Sequence, residues 1–237
     1  MRKSALSLAF IACGLVAAPA FAEKPVVAVV EFENQSGAGW WRGGVGWELA
    51  GMLSNELQAT NAFRVVERDQ LESVLEEQNL AASGRVQGGT GAKIGKLVGA
   101  QYLIAGTVTA YEEETASTGG GVSFGGVSLG GSSEKAYLAV DLRVINSTTG
   151  EVEFSRSIEG TSKGGGMSIG VYRGGFGGTL ASQNKTPAGK AIRAALVEIT
   201  DYLECVMVKQ TDRCLSEFEA KEERRREKTR GSLDLDE

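Results

Sequence analysis

The sequence predicts an α/β domain of three-layer-like architecture, in which a mixed β-sheet packs against helices. Runs of β-branched residues alternate with segments whose apolar residues recur at helical spacing. The 237 residues are enough for one domain with its own hydrophobic core. Two glycine-rich segments, Val122–Leu129 and Met167–Leu180, interrupt the second half of the chain with the pattern of β-hairpins. We expect one domain over residues 23–208, with hairpin insertions at about 112–136 and 160–185.

The N-terminus has the three regions of a secretory signal peptide. Arg2 and Lys3 precede a mostly apolar run over residues 5–18, and residues 20–22 form a small-x-small cleavage site. We therefore expect residues 1–22 to be removed. Loss of the two basic residues lowers the net charge from −5 to −7. A chain this acidic has no electrostatic case for binding nucleic acid, and anionic membrane surfaces are not expected partners.

Cys13 leaves a second interpretation of the leader open. A cysteine after a short apolar run is where a lipoprotein would carry its lipid, but Phe10 stands where a lipobox normally has leucine. Cleavage after Ala22 fits the sequence better than lipidation at Cys13.

The first strands and the first helix follow directly after the leader. Val26–Phe32 is a continuous β-branched run typical of a buried strand, and Phe63–Val66 is a shorter one. Between them, four apolar residues at helical spacing predict a helix: Leu49, Met52, Leu53 and Leu57.

Two further helices are expected before the next strand. Asp69 and Glu72 form an acidic version of a capping box for a helix that carries Leu71, Val74 and Leu75. Thr90 and Gly99 have the residue types of an N-cap and a C-terminal stop for a third helix. Its inward residues would be Ile94, Leu97 and Val98. We expect both apolar stripes to belong to the core.

The second half predicts a β-meander covered by a long helix. The strands are Tyr102–Tyr111, Tyr137–Asn146 and Glu151–Glu159, with a turn at Ser147–Gly150. Thr186 and Pro187 have the residue types of an N-cap and a first helical position. The stripe of the helix that follows is Ile192, Ala195, Leu196, Ile199, Leu203 and Val206.

Both glycine-rich segments would collect their large apolar residues on one face. A two-residue turn at Gly125-Gly126 would place Phe124 opposite Val127 and Val122 opposite Leu129, with Ser123 facing Ser128 behind them. In the second segment the apolar face would hold Met167, Ile169, Val171, Phe176 and Leu180.

Two interpretations fit this one-sided pattern: a membrane-embedded hairpin or a flexible glycine-rich surface loop. Two hairpins cannot close a β-barrel, so membrane insertion would require oligomerisation.

Residues 209–237 form a charged C-terminal tail. The stretch 221–230 mixes both signs densely without an apolar stripe, which predicts either a solvated helix or a disordered segment. In an oxidising compartment Cys205 and Cys214 could pair, but nine residues of continuous helix would hold them too far apart. A bridge would need a break near residues 209–212, and two free thiols are the alternative.

The sequence offers no reactive centre. It contains no histidine, which excludes histidine-based triads and imidazole metal ligands. We assign no catalytic, cofactor-binding or metal-binding residue and expect no enzymatic activity. Trp40 and Trp41 are adjacent on a glycine-rich loop, so we expect that they cannot both turn toward one core and that one contacts something outside the fold.

The order of these segments resembles the curli secretion channel family, the CsgG/HfaB group of bacterial outer-membrane proteins. Four stretches and the final helix carry the resemblance: VVAVVEFENQSG, WELAGMLSNELQATNAFRVVERDQLESVLEEQNLAASG, GAKIGKLVGAQYLIAGTVTAYEE and YLAVDLRVINSTTGEVEFSRS. Together they cover most of residues 26–203.

The resemblance implies a periplasmic domain that assembles into a homo-oligomeric ring, about nine-fold if it is like the family. Each subunit would lend its two hairpins to one transmembrane β-barrel, with the apolar hairpin residues facing lipid. The loop 36–45 would narrow the pore, with Trp40 and Trp41 as the constriction. Packing of the two tryptophans against a neighbouring subunit is the other interpretation.

The leading hypothesis is therefore a non-enzymatic outer-membrane secretion channel for unfolded polypeptide, of the curli type or for export of adhesins or surface anchors. It would work with periplasmic accessory proteins and use no nucleotide. The alternative is an adaptor or binding module of the same fold in the periplasm or at the outer membrane, such as a holdfast anchor or an activator of an envelope enzyme.

Overall fold

Residues 23–117, 122–124, 127–129, 132–163 and 186–233 are described by the structure, a computed structural model. Their main sheet contains β1 (Val26–Val29), β2 (Glu33–Asn34), β3 (Arg64–Val65), β4 (Tyr102–Ser117), β7 (Ser132–Asn146) and β8 (Val152–Lys163). A separate two-stranded ribbon consists of β5 (Val122–Phe124) and β6 (Val127–Leu129). The helices are α1 (Val45–Ala59), α2 (Leu71–Ala82), α3 (Pro187–Glu204) and α4 (Asp212–Ser232).

The main sheet is mixed, as the sequence predicts. Its order is β3-β1-β4-β7-β8, with β2 also paired to β4. β1 runs parallel to β3 and β4, whereas β4, β7 and β8 pair antiparallel. The β-meander of the second half and the strands of the first half therefore belong to one sheet.

The core lies between this sheet and the helices α1 and α3. The four predicted apolar residues of α1 are buried, and so is the predicted stripe of α3 from Ile192 to Leu203. Val206 lies beyond α3 and is half-buried. α3 packs on β7 and β8, and α1 packs on α3 and β1. Each fully buried leucine in this layer stabilises the fold by about 1.5–3 kcal/mol.

Thr186 begins α3 as predicted. Its side-chain oxygen accepts a hydrogen bond from the backbone N–H of Gly189 at 3.1 Å, and Pro187 occupies the first helical position. Gly160 on β8 lets α3 approach closely, because a Cβ at that position would collide with the backbone carbonyl oxygen of Ala191.

The predicted third helix does not form. The segment between α2 and β4 contains turns instead, and Gly95 adopts φ +75°. Glycines at positions 91 and 95, inside the predicted helix, each cost it about 1 kcal/mol relative to alanine, which explains the failure. The side chains expected in the core are 64%, 50% and 38% exposed in the order Ile94, Leu97 and Val98.

α2 forms as predicted, but its stripe is not in the core. Val74 and Leu75 are exposed, and Gln78 is its buried residue. The predicted capping box is also wrong, because the helix starts after Gln70 without a side-chain cap. A carboxylate oxygen of Glu67 instead accepts from the backbone N–H groups of Arg68 and Asp69 at 2.8 and 2.9 Å.

The C-terminal tail is helical over Asp212–Ser232, and a disulfide joins it to the end of α3. After α3 the chain continues as a π-helical turn, Cys205–Lys209, and Gln210 takes φ +46°. This break is what the bridge needs, and Cys205 and Cys214 form a disulfide. Thr211 then caps α4 by accepting from the N–H of Cys214.

Several expectations fall on residues outside the described ranges. They are the leader 1–22 with Cys13, the turn Gly125-Gly126, and the second hairpin with Met167, Ile169, Val171, Phe176 and Leu180. Among the helices that are described, none combines the length and the apolar character needed to cross a membrane.

Candidate functional site

The candidate site is the loop between β2 and α1, which we call the aromatic loop (residues 35–44). The loop leaves the sheet beside β4, since the N–H of Gln35 donates to the carbonyl oxygen of Val108 at 2.8 Å. It closes a turn in which the N–H of Trp41 donates to the carbonyl oxygen of Ala38 at 3.0 Å. Gly37 and Gly44 have φ values of +68° and +88°, a region that favours glycine.

Both tryptophans of the loop pack partly against the core of their own chain. The expectation that they could not both do so is wrong. In extended backbone, adjacent side chains would point to opposite faces, but the turn at 38–41 removes that alternation. The ring centroids of Trp40 and Trp41 lie 5.6 Å apart with their planes tilted by 46°.

Trp40 occupies the inner position of the pair. Its ring meets Tyr111 edge to face, with centroids 5.5 Å apart and an interplanar angle of 78°. Its indole Nε1–H is buried and has no hydrogen-bond partner among the described residues. A buried donor without an acceptor costs about 1–3 kcal/mol, so packing of the ring must offset this cost.

A β-bulge brings Tyr111 to the aromatic loop. Val108 pairs with Val140 and Ala110 with Ala139, so Thr109 is an extra residue on β4. Residues directly opposite on antiparallel strands share a face, and Tyr111 pairs with the buried Leu138. The bulge thus moves Tyr111 to the face that holds the core.

The hydroxyl group of Tyr111 also has a partner. It donates to a carboxylate oxygen of Glu113 at 2.8 Å. Burial, together with the hydrogen bond and the negative charge of Glu113, raises the pKa of Tyr111 above its usual value. The phenol therefore stays protonated and remains a donor throughout the physiological pH range.

The first hairpin has the predicted register. Val122 pairs with Leu129 and Phe124 with Val127, and Ser123 pairs with Ser128 between them. Since residues two apart on a strand share a face, the four apolar positions occupy one face of the ribbon. That these residues and the five of the second hairpin face lipid stays a prediction.

A second cluster, which the sequence did not indicate, docks α4 on the domain. Phe218 is buried and its ring meets Tyr202 of α3 edge to face at 5.4 Å. The guanidinium carbon of Arg156 on β8 lies 5.2 Å from the centroids of both rings. Phe218 is the one aromatic residue of the charged tail, and this was the feature of the sequence that could have indicated a docking contact.

Charged side chains line a cleft beside this cluster, between β8, α3 and α4. Lys221 pairs with Glu198 at 2.9 Å, and Arg225 pairs with Glu222 at 2.7 Å. Hydrogen bonds from Arg225 and Arg226 lower the pKa of Glu222 to about 2. The pair Lys221–Glu198 joins α4 to α3, whereas Arg225 and Glu222 both lie on α4. Across the described residues, no group of three or more histidine, cysteine, aspartate or glutamate side chains could hold a metal ion.

A family model described as "Curli production assembly/transport component CsgG" matches residues 11–233. No curated protein matches the sequence significantly.

Solved structures give weaker similarities. A hypothetical protein from Chlamydia trachomatis, CT253, is 14% identical with a TM-score of 0.46, covering 79% of this chain and 99% of its own. The PelC L103M dodecamer from Paraburkholderia phytofirmans is 20% identical with a TM-score of 0.33, covering 62% of this chain and 78% of its own. Lipoprotein GNA1162 from Neisseria meningitidis is 16% identical with a TM-score of 0.34, covering 61% and 87%. At these values none of them bears on what the aromatic loop does.

Proposed function

This chain belongs to the CsgG family of curli production assembly/transport components, and we propose that it is a non-enzymatic outer-membrane secretion channel for unfolded polypeptide. The channel is a homo-oligomeric ring in which each subunit contributes two hairpins to a shared β-barrel. The domain described above lies on the periplasmic side. Transport is diffusive and depends on periplasmic accessory proteins.

The observation that carries this proposal is the long β4–β7 ribbon that leads to the first hairpin. Its pairing runs from Tyr102 with Asn146 to Ser117 with Ser132. At about 3.3 Å per residue, a strand of this length spans roughly 50 Å, somewhat less than three times the extent of an ordinary strand. On the core side the ribbon is buried as far as Ala136, which pairs with Glu113, and the pairing continues for four more residues of β4 to Ser117. A ribbon that continues beyond its core supports a hairpin that enters another environment.

The β5–β6 ribbon supports the membrane as that environment. Apolar positions on one face and serines on the other are the alternation that barrel strands need between lipid and lumen. In lipid every backbone N–H and C=O group must be paired, so a single ribbon is stable there only within a closed barrel.

Exposed apolar side chains on the domain support the oligomer. Six large ones lie on α2 and on the segment that follows it: Val74, Leu75, Leu80, Ile94, Leu97 and Val98. Monomers rarely expose a contiguous apolar surface of more than a few hundred Å². We assign these side chains to contacts between neighbouring subunits of the ring.

The aromatic loop is the proposed constriction. Trp40 and Trp41 are half-buried, so each ring keeps an accessible part while its base is fixed by the core. Rigid aromatic rings around an aperture would contact an unfolded chain of many sequences, since they bind through their faces and not through specific hydrogen bonds.

Two hairpin variants test the proposal. In planar bilayers, the purified full-length protein should give stepwise ion conductance, and its detergent-extracted particles should be rings. Phe124→Asp places a charge on the proposed lipid face and should abolish insertion, whereas the matched variant Ser123→Asp changes the opposite face and should still insert. A protein that stays monomeric and soluble without detergent would contradict the channel.

The same exposed apolar side chains on α2 and the segment after it also favour a second candidate, an adaptor module that docks an envelope protein. In that case the purified chain would be soluble and give no conductance. Leu97→Asp would then abolish binding to the envelope partner, and Phe124→Asp would leave it unchanged.

A further inference from the structure

The aromatic loop and the first hairpin meet at one residue. Tyr111 lies on β4, the strand that leads to the first hairpin, and its ring contacts Trp40 on the aromatic loop. Gln35 and Val108 join the loop to the same strand on the other side of the bulge. The loop is therefore fastened to β4 both before and after Thr109.

The bulge is necessary for this contact. Before Thr109 the core-facing residues of β4 have even numbers, such as Ile104 and Val108, which are fully buried. A regular strand would continue this alternation and place residue 111 on the opposite face. With one extra residue in β4, Tyr111 and Glu113 lie on the core side, opposite Leu138 and Ala136.

We propose that Tyr111 is a positioning residue that holds Trp40 and so couples the width of the constriction to the strand entering the first hairpin. The hydrogen bond to Glu113 fixes the phenol, and the phenol fixes the indole through its edge-to-face contact. When β4 moves as the barrel assembles, the aromatic loop moves with it. The inference rests on the proposed channel function. It explains why the width of the constriction would depend on assembly of the β-barrel.

The test compares Tyr111→Val with Tyr137→Val in the full-length oligomer. Valine suits a strand, so both variants keep the β-propensity of their positions. Tyr137 lies on the neighbouring strand β7, opposite Glu112 and therefore on the other face of the ribbon. It is a matched control for the loss of one tyrosine.

Hydrogen exchange of the loop amides 37–44 is the first readout. An edge-to-face ring pair corresponds to roughly a two- to ten-fold shift in population, so exchange should speed up by that factor in Tyr111→Val. It should not change in Tyr137→Val, and Tyr111→Phe should restore most of the protection because it keeps the ring. Unchanged exchange in a folded Tyr111→Val protein would overturn the inference.

Single-channel conductance is the second readout, and it separates the inference from the function. If the unaltered protein conducts, Tyr111→Val should change the conductance and Tyr137→Val should not. Equal conductance of all three proteins would overturn the coupling but would not contradict the channel. If the unaltered protein does not conduct, the channel proposal fails and the coupling falls with it, while the exchange result still decides the contact between Tyr111 and Trp40.

A reciprocal variant covers the case in which Tyr111→Val does not fold. Trp40→Ala removes the same ring pair from the loop side and leaves β4 intact. Because the substitution also removes the contact with Trp41 and the packing on the core, exchange of the loop amides should rise by at least that factor, and an unchanged rate would overturn the inference.

Discussion

Arg156 on β8 donates a hydrogen bond from Nη2 to the backbone carbonyl oxygen of Phe218 on α4, at 2.7 Å. Its guanidinium also stacks over the rings of Phe218 and Tyr202. One side chain thus bonds to the backbone of α4 and contacts both aromatic rings. The charged tail is therefore joined to the edge strand of the sheet, and is not an independent appendage.

Removing the phenyl ring should release α4. We expect Phe218→Ala to lower the free energy of unfolding by about 3–5 kcal/mol, because the ring is 7% exposed and its loss leaves a cavity. Urea denaturation measures the loss, and limited proteolysis should cut α4 first. Leu233→Ala, at a 59% exposed position at the end of the same helix, should change neither. Equal effects of the two substitutions would show that α4 is not docked.

The disulfide should stabilise the same docking. It closes a short loop, for which the loss of chain entropy in the unfolded state predicts about 2–3 kcal/mol. Cys205→Ser and the double variant with Cys214→Ser should be destabilised similarly, since either one removes the bond.

A reducing agent provides the control. It should lower the stability of the unaltered protein toward that of the double variant and leave the variant unchanged. If the unaltered protein is fully reduced and its stability does not change, the disulfide does not have this role.

The sequence predicted those elements whose local pattern agrees with their packing. The stripes of α1 and α3 predict buried faces, and those faces are buried because the helices cover the sheet. The stripe of α2 has the same pattern, but no described element packs closely against it, so Val74 and Leu75 remain exposed. Periodicity identifies a helix, whereas the partner of its apolar face depends on contacts distant in sequence.

The candidate site was predictable only in part. The pairing of Phe124 with Val127 follows from a local turn, and the structure has it. The contact of Tyr111 with Trp40 depends on a bulge at Thr109, and the surrounding residues Val108 and Ala110 carry no glycine or other signal of an extra residue. A period of two therefore assigns Tyr111 to the wrong face.

Gly160 should not tolerate a side chain. A Cβ there would meet the carbonyl oxygen of Ala191, a backbone atom that cannot move without shifting α3 away from β8. We expect Gly160→Ala to destabilise the protein by about 1–3 kcal/mol, measured by urea denaturation.

Gly51 provides the matched control for this glycine. It lies inside α1 with open space around the position of a Cβ, so Gly51→Ala should stabilise the helix by about 0.5–1 kcal/mol. If Gly160→Ala were tolerated as well as Gly51→Ala, the close packing of α3 on β8 would be wrong.

The exposed apolar segment before β4 should be needed for assembly. Leu97→Asp puts a charge where we assign a subunit contact, so it should shift the detergent-extracted protein from ring to monomer in analytical ultracentrifugation. Val152→Asp, at a 49% exposed position on β8, should leave the ring intact. Rings that persist with Leu97→Asp would exclude this segment from the interface.

Asp201 on α3 should make stability depend on pH. Burial, together with the negative charges of Glu198 and Glu204, raises the pKa of its carboxyl group, whereas Lys209 and Lys221 lower it. A carboxyl group whose pKa is higher in the folded protein than in the unfolded chain binds a proton more tightly when folded. Its ionised form therefore costs stability at neutral pH, and the cost disappears as the pH falls through both pKa values.

Asp201→Asn should accordingly stabilise the protein at pH 7, by less than about 1 kcal/mol because the side chain is largely accessible to solvent. Below the ordinary pKa of aspartate, the variant and the unaltered protein should be equally stable. Urea denaturation at a series of pH values measures the difference, with Glu219→Gln on the exposed face of α4 as a control of equal charge change. A stabilisation by Asp201→Asn that grew as the pH fell would have the wrong sign for a raised pKa.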